Sequence, residues 1–238
     1  MSKSVGEKGG NLNNSQASRA MNLKPDEEQV ERYDNYPAKG NPLIYLFLVL
    51  AVGTLLLTIY LFANGHWIFG IIGIAGLLIL LLLTYSFGNG GLKKRIAYES
   101  GLIIPAIIVN TNPVELLAMA NMGIQENQEP IYGFIKIAAS NLPNHRIELN
   151  EKVPCVSLFG MAKKGYRRHF EPRPVSCGFK DPALVTQAVA VISKEPTENR
   201  KFRTEWDMLY ALRDKIGTNM KKGTILFFDK DLNAAHFK

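Results

Sequence analysis

Two uninterrupted apolar runs constrain this chain more than any other feature. They are Leu43–Ala63 and Trp67–Phe87, each 21 residues long, and only Asn64-Gly65-His66 lies between them. Neither run contains Asp, Glu, Lys or Arg. At about 1.5 Å of rise per residue, a helix of this length crosses the roughly 30 Å hydrocarbon core of a bilayer. The runs therefore predict a transmembrane helical hairpin over residues 42–87, and a buried hairpin in a large soluble core is the alternative.

The charges beside the hairpin predict its orientation. Lys93, Lys94 and Arg95 follow the second run, and Arg32 and Lys39 precede the first, whereas the turn carries no Lys or Arg. The positive-inside rule assigns such basic flanks to the cytoplasm. We therefore expect a two-pass protein with both termini cytoplasmic.

Three glycines in the second run predict close helix packing. Gly70, Gly73 and Gly76 recur at intervals of three and share one helix face, where small residues let another helix approach. That face either packs the two hairpin helices together or docks on a helix of another protein. Because neither run contains an Asp, Glu, Lys or Arg, the sequence does not predict a channel or a transporter.

The hairpin separates a polar segment, residues 1–41, from a larger C-terminal region. The polar segment contains six basic and six acidic residues and few large apolar ones, so by itself it is expected to be disordered. Within it, a short helix is predicted to start at Pro25 and to end near Tyr33. Residues 88–95 predict a flexible basic joint, and residues 96–238 are long enough for one cytosolic domain.

Short β-branched runs separated by turn residues predict a β-rich domain. The predicted strands are Leu102–Val109, Val114–Met122, Ile131–Ala139, Val153–Phe159, Pro174–Lys180 and Ile225–Phe228. Two segments with helical periodicity are Pro182–Ser193 and Thr204–Ile216. Together these elements predict an α+β domain, in which a small, partly open β-barrel of the SH3-like or OB-like kind carries two C-terminal helices.

The net charge of +7 lies outside residues 1–41 and predicts an acidic partner surface. The candidate lipid or partner contacts are Lys93, Lys94, Arg95, Lys163, Lys164, Tyr166, Arg167, Arg168 and Arg173. Near a membrane such residues attract anionic phospholipid headgroups, although a solvated loop fits the pattern equally well. Membrane anchoring disfavours nucleic acid as a partner.

The sequence contains no motif that predicts catalysis or the binding of a metal or cofactor. The histidines are His66, His145, His169 and His236. Their spacing matches no zinc site, and haem-attachment, nucleotide-binding and nucleophile-elbow motifs are absent. We therefore predict a protein that is not an enzyme. A polar cluster around one of the last three histidines would be the first sign of an unrecognised enzyme. Cys155 and Cys177 are expected to be free, buried thiols, because the cytosol is reducing.

Two strand sequences resemble an uncharacterised family of actinobacterial membrane proteins. They are Gly101–Ala106 (GLIIPA) and Val153–Gly160 (VPCVSLFG), and the resemblance extends over roughly residues 40–230 without bringing any catalytic residues with it. The order of tail, hairpin and cytosolic domain is also similar to the small accessory subunits of the actinobacterial cytochrome bcc–aa3 respiratory supercomplex. These resemblances imply the bacterial inner membrane as the location and cytochrome bcc and aa3 subunits as partners.

The sequence thus favours a non-catalytic accessory or assembly subunit of a larger inner-membrane complex, most directly the respiratory supercomplex. Its hairpin would dock through the glycine face, and its basic domain would cover the cytosolic surface of the partner. The alternative is a membrane-tethered module that binds anionic lipid or a peptide partner in cell-envelope biogenesis.

Overall fold

The computed structural model describes the chain as two compact units. One unit comprises Met1–Tyr36 together with Lys94–Lys238, and the other comprises Pro37–Lys93. The described residues are 5, 19–34, 42–88, 90–124, 129–160, 162–163, 165–194, 202–216 and 220–235, with the backbone alone at 42–44, 86–88, 90–93 and 163.

Along the described part of the chain, a short helix, the helical hairpin and a third helical segment are followed by seven strands, two C-terminal helices and a last strand. The helices are α1 (Glu27–Tyr33), α2 (Pro42–Ala63), α3 (Trp67–Gly88), α4 (Gly90–Ser100), α5 (Pro182–Lys194) and α6 (Glu205–Ile216). The strands are β1 (Leu102–Thr111), β2 (Val114–Asn121), β3 (Tyr132–Ala138), β4 (Lys152–Phe159), β5 (Ala162–Lys163), β6 (Tyr166–Arg167), β7 (Phe170–Pro174) and β8 (Ile225–Phe228).

Helices α2 and α3 form the predicted hairpin. They contain two candidate membrane spans, Tyr45–Ala63 and Trp67–Tyr85, in which only 11% and 6% of the residues are buried. Such exposure does not fit the hairpin of a soluble core, because an apolar surface of this size needs a partner or a lipid environment. In the turn, Gly65 has a φ of +78°, which glycine adopts without steric cost.

The unit that comprises residues 1–36 and 94–238, here called the α+β unit, contains six strands that form one antiparallel sheet. Their order is β7-β4-β1-β2-β3-β8. The sheet curls into a half-barrel, so that strands far apart in this order meet. Gly133 on β3 comes so close to β7 that a Cβ atom there would lie 3.1 Å from the ring of Phe170. Alternate residues of β1 point to opposite faces, and both faces are buried, with Ile103 and Ile107 in one cluster and Ile104 in the other.

The structure confirms an α+β region with a curled antiparallel sheet and C-terminal helices. Five of the predicted strands and both predicted helices lie within a few residues of the observed elements. The strand predicted at Pro174–Lys180 is wrong. The strand that pairs with β4 is Phe170–Pro174, and Val175–Cys177 forms a 3-10 helix. Strand β7 lies at an edge of the sheet, where Pro172 and Pro174 are tolerated because no amide donor is needed on the open side.

Helices α5 and α6 cover one face of the sheet and complete the larger apolar core. Their buried residues include Ala188, Ile192, Trp206 and Leu209, spaced as expected for one face of a helix. The core explains why both segments show a helical period in the sequence.

Both cysteines are free and buried, as the sequence predicts. Burial raises the pKa of the Cys155 thiol, and it raises the pKa of Cys177 to about 12. Both side chains are therefore protonated, and hence poor nucleophiles, at neutral pH.

Part of the polar N-terminal segment is built into the same unit as the sheet. Helix α1 agrees with the short helix predicted there, and Asp26 caps it by accepting a hydrogen bond from the Gln29 amide at 3.2 Å. The expectation of disorder concerns the segment by itself. Within the whole chain residues 19–34 are ordered, because Met21 and Val30 lie in the larger core. The segment that would be disordered alone is ordered by contacts with the rest of its own chain.

Hydrogen bonds and ion pairs join this N-terminal segment to the sheet and to α6. The Ile103 amide donates to the Arg19 carbonyl at 2.7 Å, and the Arg19 guanidinium pairs with Glu205 at 2.6 Å. Asp34 forms a buried ion pair with Arg173 on β7. Buried charges need such partners, since an isolated charge in the interior is strongly unfavourable.

Helix α4 occupies most of the predicted flexible joint, residues 88–95. Its second half packs into the α+β unit, where Ala97 and Tyr98 are fully buried. The helix ends at Ser100, and the amide of the following Gly101 donates to the Ala97 carbonyl at 2.9 Å. Tertiary packing thus selects a helix in a segment whose glycines and lysines suggest flexibility.

Candidate functional site

The glycine face of α3 is occupied by α2. A Cβ atom on Gly70 would lie 2.6 Å from the ring of Phe62, and one on Gly73 would collide with the Thr58 hydroxyl. At Gly76 the nearest α2 atom, Cγ2 of Thr54, would be 3.9 Å away, which is ordinary contact. The structure therefore favours packing within the hairpin over docking of this face on a foreign helix.

Replacing Gly73 by Ala is expected to destabilise the hairpin by about 1–3 kcal/mol, because overpacking forces neighbours to shift. The Thr58 hydroxyl donates to the Thr54 carbonyl at 2.7 Å, so moving it breaks a hydrogen bond. The measurement is unfolding of the full chain by SDS in mixed micelles. Gly53→Ala is the matched control, because nothing lies within 4 Å of its Cβ position, and it is expected to stabilise α2 by up to about 1 kcal/mol. Equal effects of the two substitutions would contradict the packing described here.

Several of the predicted basic contacts have structural roles. The Lys94 ammonium donates to the Asp34 carbonyl at 2.6 Å, and Arg95 pairs with Glu27 at 3.4 Å. Arg173 is only 4% exposed and pairs with Asp34, so it is a core residue rather than a surface contact.

The predicted basic contacts from Lys163 to Arg168 belong to one loop, and this loop contains a short hairpin of β5 and β6. Tyr166 donates its hydroxyl to the Glu129 carbonyl at 3.2 Å, and Arg167 donates to the Gly160 carbonyl at 2.8 Å, so both side chains hold the hairpin in place. Arg168 is exposed. Lys164 and the side chains of Lys93 and Lys163 lie outside the described residues.

Two of the histidines pair with carboxylates. His145 Nδ1 lies 2.9 Å from Glu151 Oε1, which also accepts from the Arg146 amide at 3.0 Å. All three residues belong to one loop, so these contacts fix the loop's own conformation. His169 lies 3.5 Å from Glu171 at the surface, and His236 lies outside the described residues. Within the described ranges no three or more His, Cys, Asp or Glu side chains are grouped as a metal site.

A cleft of about 510 Å³ opens beside the C-terminal turn of α6. Its volume lies within the roughly 300–1,000 Å³ range of small-molecule sites. The lining residues are Val109, Asn110, Glu115, Leu117, Lys136, Leu149, Asn150, Arg213, Asp214, Ile216 and Met220. The cleft thus combines an apolar lining with charged groups, as ligand sites commonly do.

The sheet contributes a buried carboxylate to this cleft. Glu115 Oε1 lies 2.7 Å from the Lys222 ammonium, and Glu115 Oε2 lies 3.4 Å from that of Lys136. The hydrogen bond from Lys222, with the attraction of Lys136, lowers the pKa of Glu115 despite the opposing effect of burial. The carboxylate is therefore ionised at neutral pH and bridges two cations.

Helix α6 contributes a guanidinium to the lining of the cleft. Arg213 pairs with the neighbouring Asp214 at 2.6 Å and also donates to the side-chain carbonyl of Asn150. Because Asp214 is exposed at the surface, its pairing contributes little stability. Among the described residues, the lining carries two cations, Lys136 and Arg213, and two carboxylates, Glu115 and Asp214. Lys222 is not a lining residue but pairs with Glu115.

The lowered pKa of Glu115 predicts an acid-sensitive contribution to stability. A carboxyl with a lower pKa in the folded than in the unfolded chain stabilises the fold above the unfolded-state pKa, and that contribution is lost as the pH falls through the folded-state pKa. From about pH 5 to about pH 3, we expect the wild-type chain to lose more stability than Glu115→Gln. Urea unfolding at several pH values measures the difference. The exposed control Glu148→Gln is expected to follow the wild type, and parallel curves for wild type and Glu115→Gln would refute the expectation.

Sequence reasoning did not find this cleft. The available signal was the presence of Glu115 and Lys136 within otherwise apolar strands. In the observed register Leu117 lies opposite Lys136, which sets Glu115 and Lys136 diagonally across two strands. No feature of either strand alone specifies that register.

Comparison with known proteins assigns the chain to a family. Residues 92–216, more than half of the chain, match the family model described as a protein of unknown function (DUF3239). The chain is also similar to the crystal structure of "a putative membrane protein from Corynebacterium diphtheriae", with 15% sequence identity, a TM-score of 0.41, and coverage of 53% of this chain and 98% of that chain. No curated protein matches the chain.

The match to the family model confirms the resemblance to an uncharacterised family in its general form. The matches contain no link to the respiratory supercomplex. With more than half of its length matched, the chain belongs to the DUF3239 family of proteins of unknown function.

Proposed function

We propose that this chain is a non-catalytic accessory subunit of a larger inner-membrane complex. In this proposal the hairpin anchors the chain in the bilayer by two passes, and the α+β unit lies on the cytosolic side. The observation that carries the proposal is the insertion of an exposed apolar hairpin, residues 37–93, into one folded unit.

The insertion supports a two-pass topology. Residues on both flanks of the hairpin belong to the same unit, and Asp34 and Lys94 are joined there by a hydrogen bond of 2.6 Å. A membrane hairpin whose two ends enter one folded unit returns to the side of the bilayer where it began. The basic residues that flank it, and the uncharged turn, favour the cytosol as that side.

The outward surface of the hairpin supports an accessory role. Ile68, Ile72 and Leu82 of α3 are among its exposed large side chains, and in a bilayer such residues face lipid or the helices of a partner. Since Gly70 and Gly73 pack against α2, docking on a partner would use these outward residues rather than the glycine face. The respiratory supercomplex remains one candidate partner, on the resemblance alone.

Co-purification from native membranes in a mild detergent tests the accessory role. The tagged chain is expected to recover a fixed set of integral membrane proteins in stoichiometric amounts, identified by mass spectrometry. Cytochrome bcc and aa3 subunits would support the respiratory assignment, and another complex would support the general proposal. An unrelated two-pass protein with the same tag serves as the control. A chain purified as a monomer without stoichiometric partners would contradict the proposal.

The second candidate function is a tethered module that binds anionic lipid. The observation in its favour is that the β5–β6 hairpin is fixed by Tyr166 and Arg167 while Arg168 is exposed beside them. Basic residues close to an anionic surface gain about 1 kcal/mol each. Hydrogen exchange of the full chain in nanodiscs tests this function. Slower exchange over residues 162–168 in anionic than in zwitterionic discs would support it, with α5 as the internal reference. Identical exchange in both discs would contradict it.

A further inference from the structure

We infer that the cleft beside α6 binds a small amphipathic anion, a molecule with one carboxylate or phosphate group attached to an apolar part. The inference concerns the α+β unit alone and is independent of which complex, if any, the chain joins. It combines three features: the volume of the cleft, the Arg213 guanidinium in its lining and the apolar residues around it.

Arg213 is suited to hold the anionic group. A guanidinium presents paired donors that match the oxygens of a carboxylate or phosphate. Its partner Asp214 is a sequence neighbour at the surface, and exposed ion pairs of this kind exchange partners at little cost. An incoming anion can therefore replace Asp214 without leaving a buried charge unpaired.

Lys136, which lines the cleft, and Lys222, which pairs with the lining residue Glu115, add to the positive potential there. The Glu115 carboxylate accepts from both ammonium groups. These two cations are therefore already partly balanced by one carboxylate. When Lys222 is counted with the charged lining residues, the described residues at the cleft carry one net positive charge. A single negative charge on the ligand balances it.

The apolar part of the ligand would lie against the remaining lining. The lining residues Leu117 and Met220 are buried, and Ile216 is half-buried at the end of α6. Leu149 lines the cleft while 61% exposed, so a bound aliphatic group would remove its surface from water. Burial of apolar area on both partners favours association.

Equilibrium dialysis against the full chain in zwitterionic nanodiscs tests the inference, with protein-free discs subtracted. The probes are decanoate and decyl phosphate, compared with decanol, which lacks the charge, and inorganic phosphate, which lacks the apolar part. We expect saturable binding of at least one amphipathic anion and at least about tenfold weaker binding of the two partial probes. Decanoate and decyl phosphate distinguish a carboxylate ligand from a phosphate ligand. Absence of saturable binding for both would overturn the inference.

Paired variants locate the binding. Arg213→Gln is expected to weaken binding about tenfold or more, the usual loss for a charge-assisted hydrogen bond, whereas Lys215→Gln on the same helix is expected to change it less than about twofold. Leu149→Gln is expected to weaken binding, unlike Ile147→Gln, because Ile147 is exposed in the same loop but does not line the cleft. Both loop positions are exposed, so these two variants retain the fold. Equal effects within each pair would overturn the assignment to this cleft.

Discussion

Deletion of residues 1–36 is expected to unfold the α+β unit, although the deleted segment is polar. The deletion removes Met21 and Val30 from the larger core, and complete burial of each such side chain contributes about 1.5–3 kcal/mol. It also exposes the apolar side chains that these residues cover. Since domains of this size are stable by only about 5–15 kcal/mol, we expect the loss to reach about 5 kcal/mol or more.

Hydrogen bonds from the segment to backbone carbonyl groups of the α+β unit add to this loss. The Asp26 amide donates to the Gly178 carbonyl at 2.9 Å, and the Gln29 side chain donates to the Ser176 carbonyl at 2.9 Å. Deletion leaves these acceptors without their donors. Chemical unfolding of the full-length and shortened chains measures the effect. Deletion of residues 1–18 is the control, because it keeps the contacts of residues 19–34 named above. Of the described residues it removes only the partly buried Val5, and it is expected to cost much less. A fully folded chain without residues 1–36 would contradict the expectation.

Substitution of Asp34 by Ala is expected to destabilise the α+β unit by about 3–5 kcal/mol. Arg173 is 4% exposed and pairs with Asp34 in the interior. Removal of one partner of a buried pair leaves the other charge without its compensation, which is far more costly than loss of an exposed pair. The Glu171 carboxylate, 3.7 Å from Arg173, is half-exposed and compensates only in part.

Two further variants separate the charge effect from a general effect of mutation in this segment. Glu28→Ala removes a carboxylate from an exposed position of α1 and is expected to change the free energy of unfolding by less than about 0.5 kcal/mol. The double substitution Asp34→Ala with Arg173→Met removes both buried charges and is expected to recover part of the loss, because no unpaired charge remains. The single variant Arg173→Met completes the cycle. If the double variant loses as much stability as Asp34→Ala and Arg173→Met lose in sum, the two residues are not coupled.

The hairpin and most of the sheet could be predicted because their signals are local. Twenty-one apolar residues without a charge specify a membrane-length helix whatever surrounds them, and the β-branched run at Leu102 specifies a strand. The edge strand β7 escaped prediction because Glu171 and Arg173 alternate there with two prolines. Its strand conformation depends on pairing with β4, which a local pattern does not contain.

The structure of residues 19–34 could not be predicted from composition, because its contacts are with distant parts of the chain. Asp34 and its partner Arg173 are 139 positions apart, and Arg19 and Glu205 are 186 apart. A composition that is too polar to form a core alone says nothing about such pairing. The cleft was missed for a related reason. Its lining combines Glu115 of β2 with Arg213 of α6, and these residues share one cleft only when α6 packs on the sheet.

The experiment that decides whether residues 1–36 and 94–238 form one folded unit replaces the hairpin by a linker. Asp34 and Lys94 are in contact, so a Gly/Ser linker of about eight residues can join Tyr36 to Lys94 without strain. The joined protein and the fragment 94–238 are then compared by urea unfolding in the absence of detergent. We predict a cooperative transition for the joined protein and none for the fragment. Equal stability of the two, or no cooperative transition in the joined protein, would contradict the insertion of the hairpin into a single unit.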